Sequence, residues 1–171
     1  MPQLAITVLG HDRPGIIAEA TGSLAGLGLN LEDSTMTLLR GHFAMMLVTD
    51  GVADAATVEA ALAGLSADGT LSVSVREMPV EQAAGGGPSY LLSVHGADRP
   101  GIVSRVTGEV AAVGGNVTDL STRLAGELYV LTAEVDLPVG TDLPALTRAL
   151  VETATELGVT VSLSPLESDD L

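Results

Sequence analysis

The chain is written twice. Sliding the sequence along itself by 86 positions lays Leu4–Asp50 over Tyr90–Asp136 without a gap, and 15 of those 47 pairs are identical where chance gives roughly three. The densest block is Gly10-His11-Asp12-Arg13-Pro14-Gly15-Ile16 over Gly96-Ala97-Asp98-Arg99-Pro100-Gly101-Ile102. Thr21-Gly22/Thr107-Gly108, Gly28/Gly114, Asn30/Asn116 and Asp33/Asp119 follow in the same register. Later segments match at a shift of 88, as in Leu62/Leu150 and Val73/Val161, so the second copy carries two extra residues in a loop. A duplicated chain of 171 residues commits itself to two copies of one small domain, here residues 1–78 and 89–166. Residues 79–88 read as a linker, because their glycine run is flexible and the prolines at both ends cannot continue a central strand. The acidic tail, 167–171, is expected to fray.

Each copy has the same periodicity. Leu4-Ile6-Val8, Leu71-Val73-Val75, Leu92-Val94 and Val159-Val161-Leu163 alternate as strands do. Ile16, Ile17, Ala20, Leu24 and Leu27 form a helical stripe, as do Val58, Ala61, Leu62 and Leu65. The second copy repeats both stripes, as Ile102, Val103, Val106, Val110, Val113 and as Leu146, Leu150, Ala154, Leu157. Gly28 and Gly114 stop the first helix, and Leu29–Leu39 and Phe43–Val48 turn about Arg40-Gly41-His42 as a hairpin. The order is βαββαβ twice, which predicts an α+β chain of two ferredoxin-like domains, each an antiparallel sheet with both helices on one face. The third strand, central in this plan, is apolar on both faces (Phe43–Val48), and Tyr129-Val130-Leu131 opens its counterpart in the same way. That pattern predicts a second sheet face covered by the other copy or by another chain.

Composition removes several function classes. The formal charge of −15, from 22 acidic residues against 7 arginines and no lysine, repels the phosphate backbone that supplies most nucleic-acid affinity. No direct nucleic-acid partner is expected. Hydrophobic residues make up 46% of the chain but include only Phe43, Tyr90 and Tyr129 as aromatics, so the core must be aliphatic. With no cysteine, and with His11, His42 and His95 isolated in the sequence, neither a disulfide nor a metal site is expected, and His42 reads as a solvated turn residue. No nucleotide-cradling glycine motif or nucleophile elbow occurs, which leaves no cofactor to name. No window reaches the ~18 apolar residues of a membrane span and the N-terminus lacks a basic leader, so the expected place of work is the cytoplasm. Met36, Met45 and Met46 read as core filler.

One loop is able to carry chemistry. Asp12-Arg13-Pro14-Gly15 and Asp98-Arg99-Pro100-Gly101 join a strand to a helix start, where unpaired N–H groups attract an anion and a glycine lets a ligand approach. Asp12 and Asp98 suit an ammonium nearby, and Asn30 and Asn116, opening the next strand, offer donor and acceptor groups. The same spacing also fits plain architecture, with the aspartates as N-caps, the arginines solvated or paired, Pro-Gly as a bend and the asparagines as turn residues.

The Gly-x-Asp-Arg-Pro-Gly-Ile block and the Gly-x-Asn-x-x-Asp segment, set in a βαββαβ order, resemble the ACT domain. Two copies in so short a chain resemble the tandem-ACT regulators of the glycine cleavage system transcriptional repressor family. The resemblance implies a regulatory module that binds an amino acid at interfaces between ACT domains. It carries over to Asp12, Arg13, Pro14, Gly15, Ile16 and Asn30, and to Asp98, Arg99, Pro100, Gly101, Ile102 and Asn116. The expected function is then a non-catalytic sensor of a small amino acid, forming homo-oligomers and acting on a partner protein, either a DNA-binding activator or a metabolic enzyme. Two alternatives stand beside it: an acylphosphatase-like enzyme using Arg13 or Arg99, and an oligomerisation module indifferent to ligands. The copies differ at His11/Ala97, Leu29/Gly115 and Glu19/Arg105, so their loops need not bind alike.

Overall fold

The computed structural model describes residues 3–79 and 87–166, so most of the linker and the whole acidic tail lie outside the described residues. The described residues fall into two compact units, one on each side of residues 80–86. The first runs β1 (Gln3–His11), α1 (Ile16–Gly26), β2 (Asn30–Leu39), β3 (His42–Asp50), α2 (Ala55–Leu62) and β4 (Leu71–Met78). The second repeats it as β5 (Ser89–Ala97), α3 (Ile102–Ala112), β6 (Asn116–Ala125), β7 (Leu128–Asp136), α4 (Leu143–Leu157) and β8 (Val159–Pro165). Each sheet is antiparallel, in the orders β2-β3-β1-β4 and β6-β7-β5-β8, so the third strand is central in both.

Alternation along β1 places Leu4, Ile6 and Val8 in the core, where they meet Phe43, Met45 and Leu47 of β3. Ile16, Ala20 and Leu24 of α1 and Val58 and Leu62 of α2 close over the same sheet face. A second core, around Leu92, Val94, Leu131, Val106 and Leu150, repeats this packing. On the opposite face β3 does present Ala44, Met46 and Val48, whereas β7 presents Val130, Thr132 and Glu134, so only the first sheet is apolar along that strand on both sides. Of Met36, Met45 and Met46 only Met45 is core; Met36 is 44% exposed and Met46 42%.

The extra residues of the second copy lie between the third strand and the second helix, in Leu137–Asp142 against Gly51–Asp54. Asp54 and Asp142 cap those helices, their carboxylates accepting from Thr57 N–H at 2.8 Å and from Ala145 N–H at 3.0 Å. Here the helices diverge. After Leu62 the chain tightens into a 3-10 turn, Ala63–Ser66, where Gly64 stands, while α4 has Glu152 at that place and runs on for 15 residues. The β2–β3 hairpin is also shorter than its sequence suggests. Arg40 and Gly41 alone form the turn, both at positive φ, and His42 is already a strand residue facing Leu39.

Both β2 and β6 lie at a sheet edge, exposed along almost their whole length. Each is kinked near its start: pairing passes from Leu31/Thr49 to Asp33/Val48 and skips Glu32, and Thr118 is skipped likewise.

Candidate functional site

Leaving β1, the chain must reverse direction to lay α1 back across the sheet. Asp12 N–H donates to the Gly41 carbonyl at 3.2 Å, which ties the loop to the β2–β3 hairpin. Pro14 then restricts the turn, and Gly15, at φ 89° and ψ −3°, enters the helix from the left-handed region. Gly101 does the same at φ 92° and ψ −2°. A β-carbon on Gly15 would have nothing within 4 Å, so the dihedral requires the glycine and crowding does not. The N-cap position belongs to these glycines rather than to Asp12 or Asp98, and no side chain caps either helix. Pro14 and Pro100 stand one residue before the cap, outside the first helical position. The first intrahelical bonds are Glu19 N–H to Gly15 O, 2.9 Å, and Arg105 N–H to Gly101 O, 3.0 Å. The N–H groups of Ile16, Ile17 and Ala18, and of Ile102, Val103 and Ser104, precede those bonds and face outward at the positive end of the helix dipole.

Beside each helix start is a hollow. In the first unit it measures about 310 Å³ and is lined by Asp12, Arg13, Gly15 and Ile16 together with Ala18, Met36 and Phe43. In the second it measures about 290 Å³ and is lined by Asp98, Arg99, Gly101 and Ile102 together with Ser104 and Tyr129. Both lie at the small end of the ~300–1,000 Å³ usual for small-molecule sites. Ile16 and Ile102, each 2% exposed, form the floor and root the loop in the core. Pro14 and Pro100 shape the loop without lining the hollow.

The structure brings the aspartate, arginine, glycine and isoleucine of each block together, but not the asparagines. Asn30 faces Asp50 across the ladder, while Phe43, at the hollow, stands seven residues earlier on the same strand. At ~3.3 Å per residue that is roughly 23 Å. Asn116, opposite Asp136, stands equally far from Tyr129. Within one unit the asparagine sits at the other end of the helix from the loop. Sequence reasoning missed Phe43 and Tyr129 as walls, although two of the three aromatics standing at equivalent repeat positions was a usable signal.

Charge distinguishes the two hollows. Arg13 Nη2 donates to Glu19 Oε2 at 2.8 Å, and Arg13 is also near Asp68. The Asp68 carboxyl is held below its usual range first by the side chain and then by the N–H of Thr70, the Arg13 charge adding to this. In the second unit position 105 is arginine and pairs with Glu156, the counterpart of Asp68. Arg99 has no carboxylate within 4.0 Å among the described residues. Its guanidinium lies against Gly158, the residue that ends α4.

The histidines are not all separate. His11 and His42 face each other across β1 and β3 and stack with ring centroids 5.4 Å apart, since the shorter hairpin brings His42 into the ladder. Among the described residues no three His, Asp or Glu side chains converge as a metal would need. No helix among them is long and apolar enough to cross a membrane.

The ACT domain family model matches residues 2–76 and 89–164, one match per half. The glycine cleavage system transcriptional repressor of Escherichia coli is 28% identical over 170 residues, covering 94% of this chain and 88% of that protein. A UPF0237 protein of Corynebacterium diphtheriae is 31% identical over 81 residues, 46% of this chain and 91% of its own length. Among solved structures, an unknown protein from Galdieria sulphuraria superposes with a TM-score of 0.82 at 29% identity over 97% of this chain and 99% of that one. A candidate glycine cleavage system transcriptional repressor superposes at 0.74 and 21% identity over 98% of each chain, which attests the shared fold.

Proposed function

This chain belongs to the ACT domain family, with one domain in each half, and from that premise we propose that it is a non-catalytic sensor of a small amino acid. Ligand at the strand–helix loops would favour one arrangement of ACT domains over another and so alter affinity for a partner protein, an activator or a metabolic enzyme, in the cytoplasm. The observation that carries this reading is the hollow beside an uncapped helix start, present in both halves and flanked each time by an aspartate and an arginine. Free N–H groups and a guanidinium suit a carboxylate, the aspartate suits an ammonium, and about 300 Å³ suits a molecule of a few heavy atoms. Asn30 and Asn116 are too distant to complete the hollow of their own domain. They serve it only from a neighbouring ACT domain, which makes a homo-oligomer part of the proposal.

The test is titration calorimetry, with thermal shift as a second readout, against glycine, alanine, serine, and branched-chain and aromatic amino acids. Saturable heat and a raised melting temperature with one of them is the expected result. Silence toward the whole panel would remove the sensing reading and leave a duplicated scaffold.

A further inference from the structure

The two halves share a backbone at the loop but not its charge. In the first, Arg13 has two carboxylates for company, Glu19 in direct contact and Asp68 close by. In the second, the residue in Glu19's place is Arg105, and the carboxylate in Asp68's place, Glu156, is held by that arginine. Beyond the aspartate that lines each hollow, the first half has one guanidinium to two carboxylates and the second two to one, and Arg99 makes no ion pair among the described residues. The walls change in the same direction. Ala18 and Phe43 of the first hollow become Ser104 and Tyr129 in the second, each gaining a hydroxyl, and Met36, which lines only the first, aligns with Thr122.

We infer that each chain binds one amino-acid carboxylate, at Arg99 in the second half, because Arg13 of the first is already engaged by Glu19. This rests on the sensing reading above and adds to it which half binds, through which residue and how many times. The physical case is competitive. A ligand carboxylate entering the first hollow must displace one tethered to the same chain and already 2.8 Å from Arg13, with a further negative charge nearby. At Arg99, whose guanidinium rests against Gly158, the incoming carboxylate has no carboxylate of the chain to displace among the described residues. Arg105 reinforces the effect, because its charge lies in the first turn of α3, where α1 carries Glu19. The first half keeps the fold of a binding domain, with its arginine already engaged by an internal carboxylate.

The experiment is calorimetric stoichiometry on the full chain with glycine, alanine, serine and leucine as probes, and circular dichroism to verify that each variant folds. The expected result is one site per chain. Arg99→Ala should weaken it at least tenfold, whereas Arg148→Ala, an exposed position of α4 outside both hollows, should leave it unchanged. Two charge exchanges sharpen the test. Arg105→Glu gives Arg99 the neighbour that Arg13 has and should abolish binding, and Glu19→Arg frees Arg13 and should raise the count from one to two. Two equal sites in the unaltered chain, or one site lost in Arg13→Ala and kept in Arg99→Ala, would overturn the inference while leaving sensing intact. No binding of any probe by the unaltered chain would remove both.

Discussion

A β-carbon on Gly115 would stand 2.8 Å from Leu137 Cδ2, so the leucine fills the space that the glycine leaves. The first half makes the same contact with the sizes exchanged: Leu29, at the place of Gly115, occupies the room a β-carbon on Gly51 would need, and Gly51 is the counterpart of Leu137. Leu29 is 8% exposed and Leu137 1%. The Leu29/Gly115 difference between copies is thus a packing exchange. Gly115→Ala should destabilise by about 1–3 kcal/mol through overpacking and Leu137→Ala by about 2–5 kcal/mol through a cavity. The double variant should cost less than their sum by about 0.5–3 kcal/mol, as urea denaturation would measure, with Val110 Cγ1, also 2.8 Å from that β-carbon, limiting the rescue.

Thr49 is wholly buried and its hydroxyl has no hydrogen-bond partner among the described residues, while Val135 holds the same place in the second half. A buried unpaired hydroxyl costs about 1–3 kcal/mol of desolvation. Thr49→Val should therefore stabilise the first half by about 1 kcal/mol, visible as a higher urea midpoint with an unchanged slope.

Glycines in and before α1 and α3 should respond with opposite sign. Gly15→Ala and Gly101→Ala force an L residue to φ near 90° and should each cost about 1–2 kcal/mol despite open surroundings. Gly22 and Gly108 lie inside the same helices with nothing within 4 Å of a β-carbon, so alanine there should stabilise by about 0.5–1 kcal/mol. Equal loss at all four positions in denaturation curves would contradict this account of the loop.

The α2 cap makes stability depend on acid. The side chain of Thr57, and then its N–H, hold the Asp54 carboxyl below its ordinary 3.8. A depressed carboxyl contributes its stabilisation above the ordinary value and loses it as pH falls through the native one. Asp54→Ala should accordingly melt earlier than the unaltered chain at pH 7, and the difference should shrink as the pH is taken below 3.8 and the native carboxyl protonates. Melting curves across that range would check it; a gap that widened in acid would count against the cap.

Most of the architecture was legible because a period-2 strand and a 3.6-period helix, each seen twice at a fixed offset, leave little room for another arrangement. The shift from 86 to 88 announced two extra residues in a loop, and the structure places them in Leu137–Asp142. What escaped depended on neighbours distant in sequence. Arg13 and Arg99 look identical until Glu19, Arg105 and Glu156 are placed around them. His11 and His42 appear unrelated until a two-residue turn sets their strands in register. Asn30 follows Gly15 by fifteen residues, but an 11-residue helix spent between them, rising about 1.5 Å per residue, carries it away from the loop. Met36 and Ile17 fit apolar patterns and are 44% exposed all the same, Met36 on the exposed edge strand β2 and Ile17 in the first turn of α1.

The kink at Glu32, echoed at Thr118, governs what a bare sheet border does in concentrated solution. An added strand can follow a border only while consecutive N–H and C=O groups keep their spacing, and here the spacing breaks soon after the strand begins, beside the acids Glu32 and Asp33 in the first half. Open-ended growth into fibres along β2 or β6, ten residues each, stalls at such a break.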